Sequence, residues 1–573
     1  MLVNIAAKAD PPDWKQQFAK VSDEYFNQVY FRYAPSTATT TGFHQYDNQL
    51  EDYSRKTIEE QIAALKQFEG RIEAIQPDHS RADFVPRSDR EIVLSNIRSQ
   101  LLTLQTIRPW QKNADNYSST CANGVFVLME RNFAPVDDRL RSAIEREKQM
   151  PALLAAARVN LQNPPQIFTQ IAIEQLPDII SFFQNDVPQA FAGAQDLGLK
   201  AQFAMTNAAV VGALTDYLSW LKTDLLPRSH GDFRIGADAF RKKLEYDEMV
   251  DIPLDKLLQI GWADLRRNQA QFKQVAAELD PGKDPRAVLL ELGKDHPAPD
   301  QLIPTFRDTF TSLIAFIRSH HIVTIPSDVE PVVEETPPFM RATTTASLDP
   351  PGPFETHSTT AYFNVTLPDP TWTPAEVDGY MHSFNIGTVI STAVHETYPG
   401  HYVQFLWLPQ APSKVRKILG ANTDIEGWAH YCEQMMLDEG YGQPGVGAKN
   451  KRESKLLRLG QLQDALLRDA RFVVGIEMHT GNMTLAQAEE FFQKEGYQSK
   501  EVAVVETKRG AGDPTYLYYT LGKLEILKLR ADVEKREGAK FSLEKFHDDF
   551  LRQGFPPVKI VREAMLGDNS PTL

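Results

Sequence analysis

Over most of the chain, hydrophobic residues recur at helical spacing with polar and charged positions between them. Trp14, Phe18, Val21, Tyr25 and Val29 open the pattern. It predicts amphipathic helices over 54–75, 88–107, 136–161, 199–226 and 253–279. The last opens on Pro253, a favourable first helical residue. No fixed period points to a solenoid. Near residue 320 the character changes. Residues 320–370 are rich in Val, Thr and Pro and carry short β-like runs, notably 360–366. Their prolines confine these runs to edges or short ribbons. Helical spacing resumes as one long pattern over 373–398. It continues over 423–439, 454–478, 485–494, 516–534 and 543–551.

The expected architecture is therefore mainly α with one small β-sheet. That sheet lies just before the helix at 373–398, where an edge strand could pair with an extended peptide. The change at residue 320 divides the chain into a helical N-terminal region, 1–320, and a second region, 321–573.

Composition narrows the function classes. The 573 residues are 42% hydrophobic and 24% charged, ordinary for a globular protein that can build a large core. A net charge of -15, without a Lys/Arg-rich run, argues against nucleic acid or an anionic membrane surface as partner. Cys121 and Cys432 are too few for a disulfide framework or a cysteine metal site. No apolar run is long enough to span a membrane. "MLVNIAAKADPPDW" lacks the apolar stretch of a signal peptide. The expectation is a cytoplasmic chain, or one whose export signal lies outside this sequence.

The candidate chemistry begins at the end of the 373–398 pattern, in "HETYPGH". His395 and His401 are six residues apart. On a continuous helix they would point about 120° away from each other. Pro399 cannot donate to the carbonyl of residue 395, so the helix must kink or stop. Gly400 adds backbone freedom. A loop-out at Pro399–Gly400 would bring His401 one turn from His395, the spacing of H-E-x-x-H. The other reading is a plain helix C-terminus, where proline, glycine and histidine are all common. In "NTDIEGWAHYCEQMM", Glu426, His430 and Glu433 share a helical face at i, i+4 and i+7. This segment is either an amphipathic helix with a solvated acidic face or the source of a third ligand. Two histidines, a glutamate and an open position make a catalytic zinc set. Glu396, beside a ligand but pointing elsewhere, is then placed as general base. "DPTYLYYTLGK" offers Tyr516, Tyr518 and Tyr519 as donors to an oxyanion, although buried packing is the commoner fate of tyrosine.

These motifs together resemble a bacterial family, the domain of unknown function eight-eight-five, grouped with gluzincin-like zinc metallopeptidases. The matching residues are His395-Glu396-Thr397-Tyr398-Pro399-Gly400-His401, then Glu426-Gly427-Trp428-Ala429-His430-Tyr431-Cys432-Glu433, then Tyr519-Thr520-Leu521-Gly522-Lys523. "PSTATTTGFHQYDNQLEDYS" extends the likeness towards the N-terminus. The resemblance implies a large two-lobed helical metallopeptidase-like fold, in which 1–320 forms one wall of a cleft and 321–573 carries the catalysis. It implies zinc held by His395, His401 and Glu426, with Glu396 as base and Tyr519 as the oxyanion or substrate contact. His430 and Glu433 would support the ligands. Arg471 and His479 match a further family block and, with Tyr516, are expected to bind substrate; the block departs from the pattern at Gly475, where an aspartate is usual. Arg509 matches a family arginine suited to a substrate carboxylate, and Tyr516 lies near it in sequence. Family members are often exported or lipid-anchored, which implies a periplasmic or secreted location.

The leading expectation is a zinc peptidase acting on short peptides in an enclosed cleft. A zinc hydrolase of other amides or esters would use the same ligands. A peptide-binding protein on a degenerate scaffold would not need them all. His320 and His321 read as loop residues, His357 and His382 as polar residues flanking the site, and Cys432 as buried packing.

Overall fold

The structure is a computed structural model that describes residues 13–78, 80–337, 340–341 and 344–573. It is mainly helical with a small sheet. The predicted helices are present, several with shifted ends. The 54–75 pattern folds as Arg55–Glu73, capped by Ser54. The 136–161 pattern splits at Lys148–Gln149 into Val136–Glu147 and Met150–Asn160, with Pro151 in the first turn of the second. The pattern over 373–398 is not one helix. It forms Pro374–Met381, a turn at His382–Phe384, and a new helix at Ile386–Glu396. Asn385 starts that new helix by accepting hydrogen bonds from the Gly387 and Thr388 N–H groups.

The sheet has three short strands: β1 (Val332–Glu335), β2 (Ala346–Asp349) and β3 (Tyr362–Val365). β3 is central, parallel to β1 and antiparallel to β2, so β2 has an open edge. The sheet packs on the Leu302–Ser319 helix through Phe306 and Phe310 against Phe363. Those residues belong to a core that also takes in Val389, Ala393, Trp428 and Tyr431. The sheet and the helices bearing His395 and Glu426 therefore share one apolar foundation.

The N-terminal part of the chain braces this region. Arg131 donates to the Asp349 backbone carbonyl at 2.9 Å, pairs with its carboxylate at 2.8 Å and faces the Tyr362 ring. Glu248 accepts hydrogen bonds from the Thr423 N–H and hydroxyl, both at 2.8 Å, capping the Asn422–Asp438 helix from outside it. Cys121 and Cys432 are free, buried thiols. Among the described residues, no helix is long and apolar enough to cross a membrane.

Beneath Trp428, His547 is fully buried. Its Nδ1–H donates to the Ile322 carbonyl at 2.6 Å, and its Nε2 accepts from the Tyr431 hydroxyl at 2.8 Å. Burial pushes its pKa down from 6.5 to about 3. A folded pKa below the unfolded one means stability is complete above about pH 6.5 and falls as pH drops from there towards 3. At pH 5 the loss from this residue is about 2 kcal/mol. Denaturant titrations from pH 7 to 5 should show that decline, and His547→Gln should lessen it by about 2 kcal/mol, the buried neutral His430 and His479 keeping their own shares.

Candidate metal centre

The Ile386–Glu396 helix stops where Pro399 requires, but the interruption is wider than two residues. Residues 397–400 all lie outside helix, and a new helix runs from His401 to Trp407. The N–H groups of Thr397 and Tyr398 both reach back to the Ala393 carbonyl, and that of Gly400 reaches Val394 at 3.0 Å. Gly400 has a φ of −68°, so left-handed freedom is not its contribution. A Cβ there would lie 1.9 Å from the His395 carbonyl oxygen. Glycine is needed because the returning chain presses against the helix end. Trp428 fixes the turn by donating from Nε1 to the Pro399 carbonyl at 3.0 Å.

This turn sets the His395 and His401 rings 4.7 Å apart and nearly perpendicular. Both Nε2 atoms lie 3.3 Å from Glu426 Oε2. Ligand atoms on a tetrahedral zinc ion, with bonds of ~2.0–2.1 Å, stand ~3.4 Å apart. Both histidine–glutamate distances match that spacing, and all three ligand atoms lie within 4.8 Å of one another. Glu426 Oε2 is buried between these two imidazoles, and His401 Nδ1 is buried with no hydrogen-bond partner among the described residues. His395 carries a carboxylate at each ring nitrogen, with Glu433 Oε1 2.7 Å from Nδ1. Burial works against its protonation, but the bonds to Glu426 and Glu433 outweigh that and lift its pKa to about 9. The pocket thus favours positive charge beside His395 Nε2, which a divalent ion would also supply.

Glu433 is itself held by Arg468 at 3.1 Å and by His430 Nδ1 at 3.2 Å. His430 is neutral, its pKa lowered to about 3 by burial and by the nearby Lys523 charge. A carboxylate behind a ligating imidazole fixes its tautomer and raises its basicity. Glu433→Gln is expected to weaken zinc binding about 10- to 100-fold, measured by competition against a chelating dye.

Glu396 is the last residue of the same helix, and its Oε2 accepts the Leu348 N–H of β2 at 2.9 Å. The base candidate is therefore tied to the open edge of the sheet. Tyr519 stacks on His395 with ring centres 6.3 Å apart, and its hydroxyl accepts from Arg509 at 2.9 Å. Burial and the Glu426 charge raise its pKa despite three flanking arginines, so it remains a phenol able to donate. Arg468, Arg471 and Arg509 lie 5.5, 4.9 and 5.8 Å from its ring centre.

The remaining residues named from the sequence sit differently. Arg471 is committed to Glu506 through two hydrogen bonds of 2.6 and 2.8 Å. His479 is buried against Phe233, with Nε2 2.7 Å from the Gly510 carbonyl and its pKa lowered to about 4 by burial. It supports the Lys500–Gly512 helix that carries Arg509. Tyr516 is fully buried against Gly510 and Gly475. A Cβ at Gly475 would lie 3.0 Å from its ring, so the glycine makes room for the tyrosine. Tyr516 and His479 thus belong to the packing behind Arg509, and neither joins the cluster around His395. Sequence reading missed Arg468, whose role depends on contacts far along the chain, and Leu348, which acts through its backbone alone.

The glycines of the later motifs explain how the helices bearing Glu426 and Tyr519 meet. Gly427 faces Gly522 where the Asn422–Asp438 and Tyr518–Glu537 helices cross. A Cβ on Gly522 would lie 1.9 Å from the Thr423 carbonyl oxygen. Next to it, buried Lys523 pairs with buried Asp264 at 3.0 Å.

No curated protein matches the chain. Solved structures share its fold. A candidate lipoprotein of unknown function from Shewanella oneidensis is 26% identical, with a TM-score of 0.78 over 96% of this chain and 99% of that one. A candidate lipoprotein from Colwellia psychrerythraea is 19% identical, with a TM-score of 0.80 over 97% and 99%. The family described as "Bacterial protein of unknown function (DUF885)" matches residues 35–565, nearly the entire length, and the chain belongs to that family.

Proposed function

We propose that this protein is a zinc-dependent hydrolase, and that it cleaves short peptides in an enclosed cleft. The observation that carries this reading is the convergence of His395, His401 and Glu426, with Glu396 one residue along the same helix. Bound zinc would lower the pKa of a coordinated water towards ~7 and polarise the scissile carbonyl. Glu396 accepts the proton of the attacking water and passes it to the leaving amine. Tyr519 donates its hydroxyl proton as a hydrogen bond to the developing oxyanion, and Arg509 strengthens that donor. The outer edge of β2 supports an extended backbone as substrate: a peptide adding there as a further strand takes the Leu348 N–H from Glu396 and frees that carboxylate. Arg509 is in no ion pair among the described residues, which suits it to a peptide carboxylate.

On this reading residues 1–320 form one wall of the cleft and 321–573 carry the chemistry, giving a two-lobed, gluzincin-like enzyme. The names of the two structural neighbours support a periplasmic or secreted setting. The test is a panel of short peptides, acyl-amino acids and esters, assayed before and after chelation. Peptide turnover that chelation abolishes and zinc restores supports the proposal. Turnover of esters or acyl-amino acids alone, with the same zinc dependence, would make it a hydrolase of another class.

A further inference from the structure

His296, Asp378 and His382 form a second convergent cluster, on elements separate from the His395 set. Asp378 and His382 lie one turn apart, where the Pro374–Met381 helix runs into the following turn. His296 comes from the loop after the Pro285–Gly293 helix. The two segments can approach because residue 293 is glycine, where a Cβ would lie 3.0 Å from the His382 Cβ.

One aspartate serves both imidazoles. His296 Nε2 is 3.5 Å from Asp378 Oδ1, and His382 Nε2 is 3.3 Å from Oδ2. All three ligand atoms lie within 4.8 Å of one another. Each imidazole faces its own oxygen of the Asp378 carboxylate, and a small movement of that exposed side chain would bring one oxygen to both rings. The tautomer of His296 also fits. Its Nδ1 is 2.9 Å from the Pro297 carbonyl, which can only accept, so the neutral ring presents its Nε2 lone pair to the cluster. A backbone carbonyl behind a ligating imidazole is a common support for a metal ligand. His382 Nε2 is shielded from solvent with the Asp378 carboxylate beside it, at an angle that makes no hydrogen bond.

We propose that His296, Asp378 and His382 bind a second divalent transition-metal ion, zinc being the best match to two imidazoles and one carboxylate. The donor set excludes calcium and magnesium, which take oxygen ligands. The Asp378 side chain is 65% exposed, so water completes the coordination and the ion exchanges readily. The ion cross-links the loop after Gly293 to the turn at His382–Phe384. That turn leads directly into Asn385, the cap of the helix that ends in His395 and Glu396. Occupancy would therefore steady the starting end of the helix whose far end carries the first centre.

The test is zinc stoichiometry on the full chain, stripped with chelator and dialysed against micromolar free zinc. Wild type is expected to hold two ions per chain. Asp378→Asn, an exposed and isosteric change, is expected to hold one, and so is His382→Ala. His395→Ala should lose the other ion and keep this one. If Asp378→Asn and His382→Ala both bind as much zinc as wild type, the cluster is only an ion pair of the aspartate with its histidines and the proposal is overturned. If His395→Ala loses no zinc while Asp378→Asn does, the second site stands and the first centre fails.

Discussion

Glu396→Gln is expected to lower turnover of a cleaved peptide about 100- to 10,000-fold while zinc content stays that of wild type. Glutamine has the same shape, and its carbonyl oxygen can still accept the Leu348 N–H that the carboxylate accepts at 2.9 Å. The helix end and the ligand turn are therefore preserved. What is lost is the ability to take a proton from water, a contribution of about 3–5 kcal/mol to the barrier. The partition of effects is the informative part. Loss of turnover with loss of zinc would mean that Glu396 holds the site together. Unchanged turnover with zinc retained would remove it from the mechanism.

Gly400→Ala is expected to weaken zinc binding by at least ~100-fold, more than the change at Glu433, because it moves a ligand and not its support. The added Cβ would meet the His395 carbonyl oxygen at 1.9 Å and the Val394 carbonyl oxygen at 2.3 Å. These are backbone atoms at a helix end, so the turn itself must open. His401 follows directly, and its Nε2 then leaves the position 3.3 Å from Glu426. Overpacking of this kind also costs about 1–3 kcal/mol of stability. Gly70→Ala is the control. It lies within the Arg55–Glu73 helix with open space around it, and alanine there should stabilise by about 0.5–1 kcal/mol. Zinc titration and denaturant unfolding of both variants separate the local effect from a general one.

Local chemistry was the legible part of this chain. Pro399 dictates a break through its missing N–H, and the break lies where that argument puts it. The wider interruption at 397–400 depends on Trp428 holding the Pro399 carbonyl, a contact 29 residues away in sequence. The space that Gly400 leaves was not legible, because the carbonyl pressing on it is invisible without the fold. The shared helical face of Glu426, His430 and Glu433 was readable from spacing. The structure adds that Glu426 and Glu433 lie at opposite nitrogens of one imidazole. Periodicity also ran the 373–398 pattern through Asn385, whose capping side chain outweighs the continuing apolar spacing.

Contacts between distant segments were not legible. Glu248 capping the Glu426 helix, Arg131 clamping β2 and His296 meeting His382 each join stretches tens to hundreds of residues apart. Nothing in local sequence encodes such pairings. Burial was similarly hidden for Tyr516 and His479, because both sit in a motif-rich stretch that turns inward behind Arg509.

The central claim is that His395, His401 and Glu426 hold one zinc ion. Anomalous diffraction at the zinc edge, on crystals of zinc-dialysed protein, tests it most directly. The expected result is a peak ~2.0–2.2 Å from His395 Nε2, His401 Nε2 and a Glu426 carboxylate oxygen. No peak among these three side chains, under conditions where the protein is exposed to zinc, would contradict it.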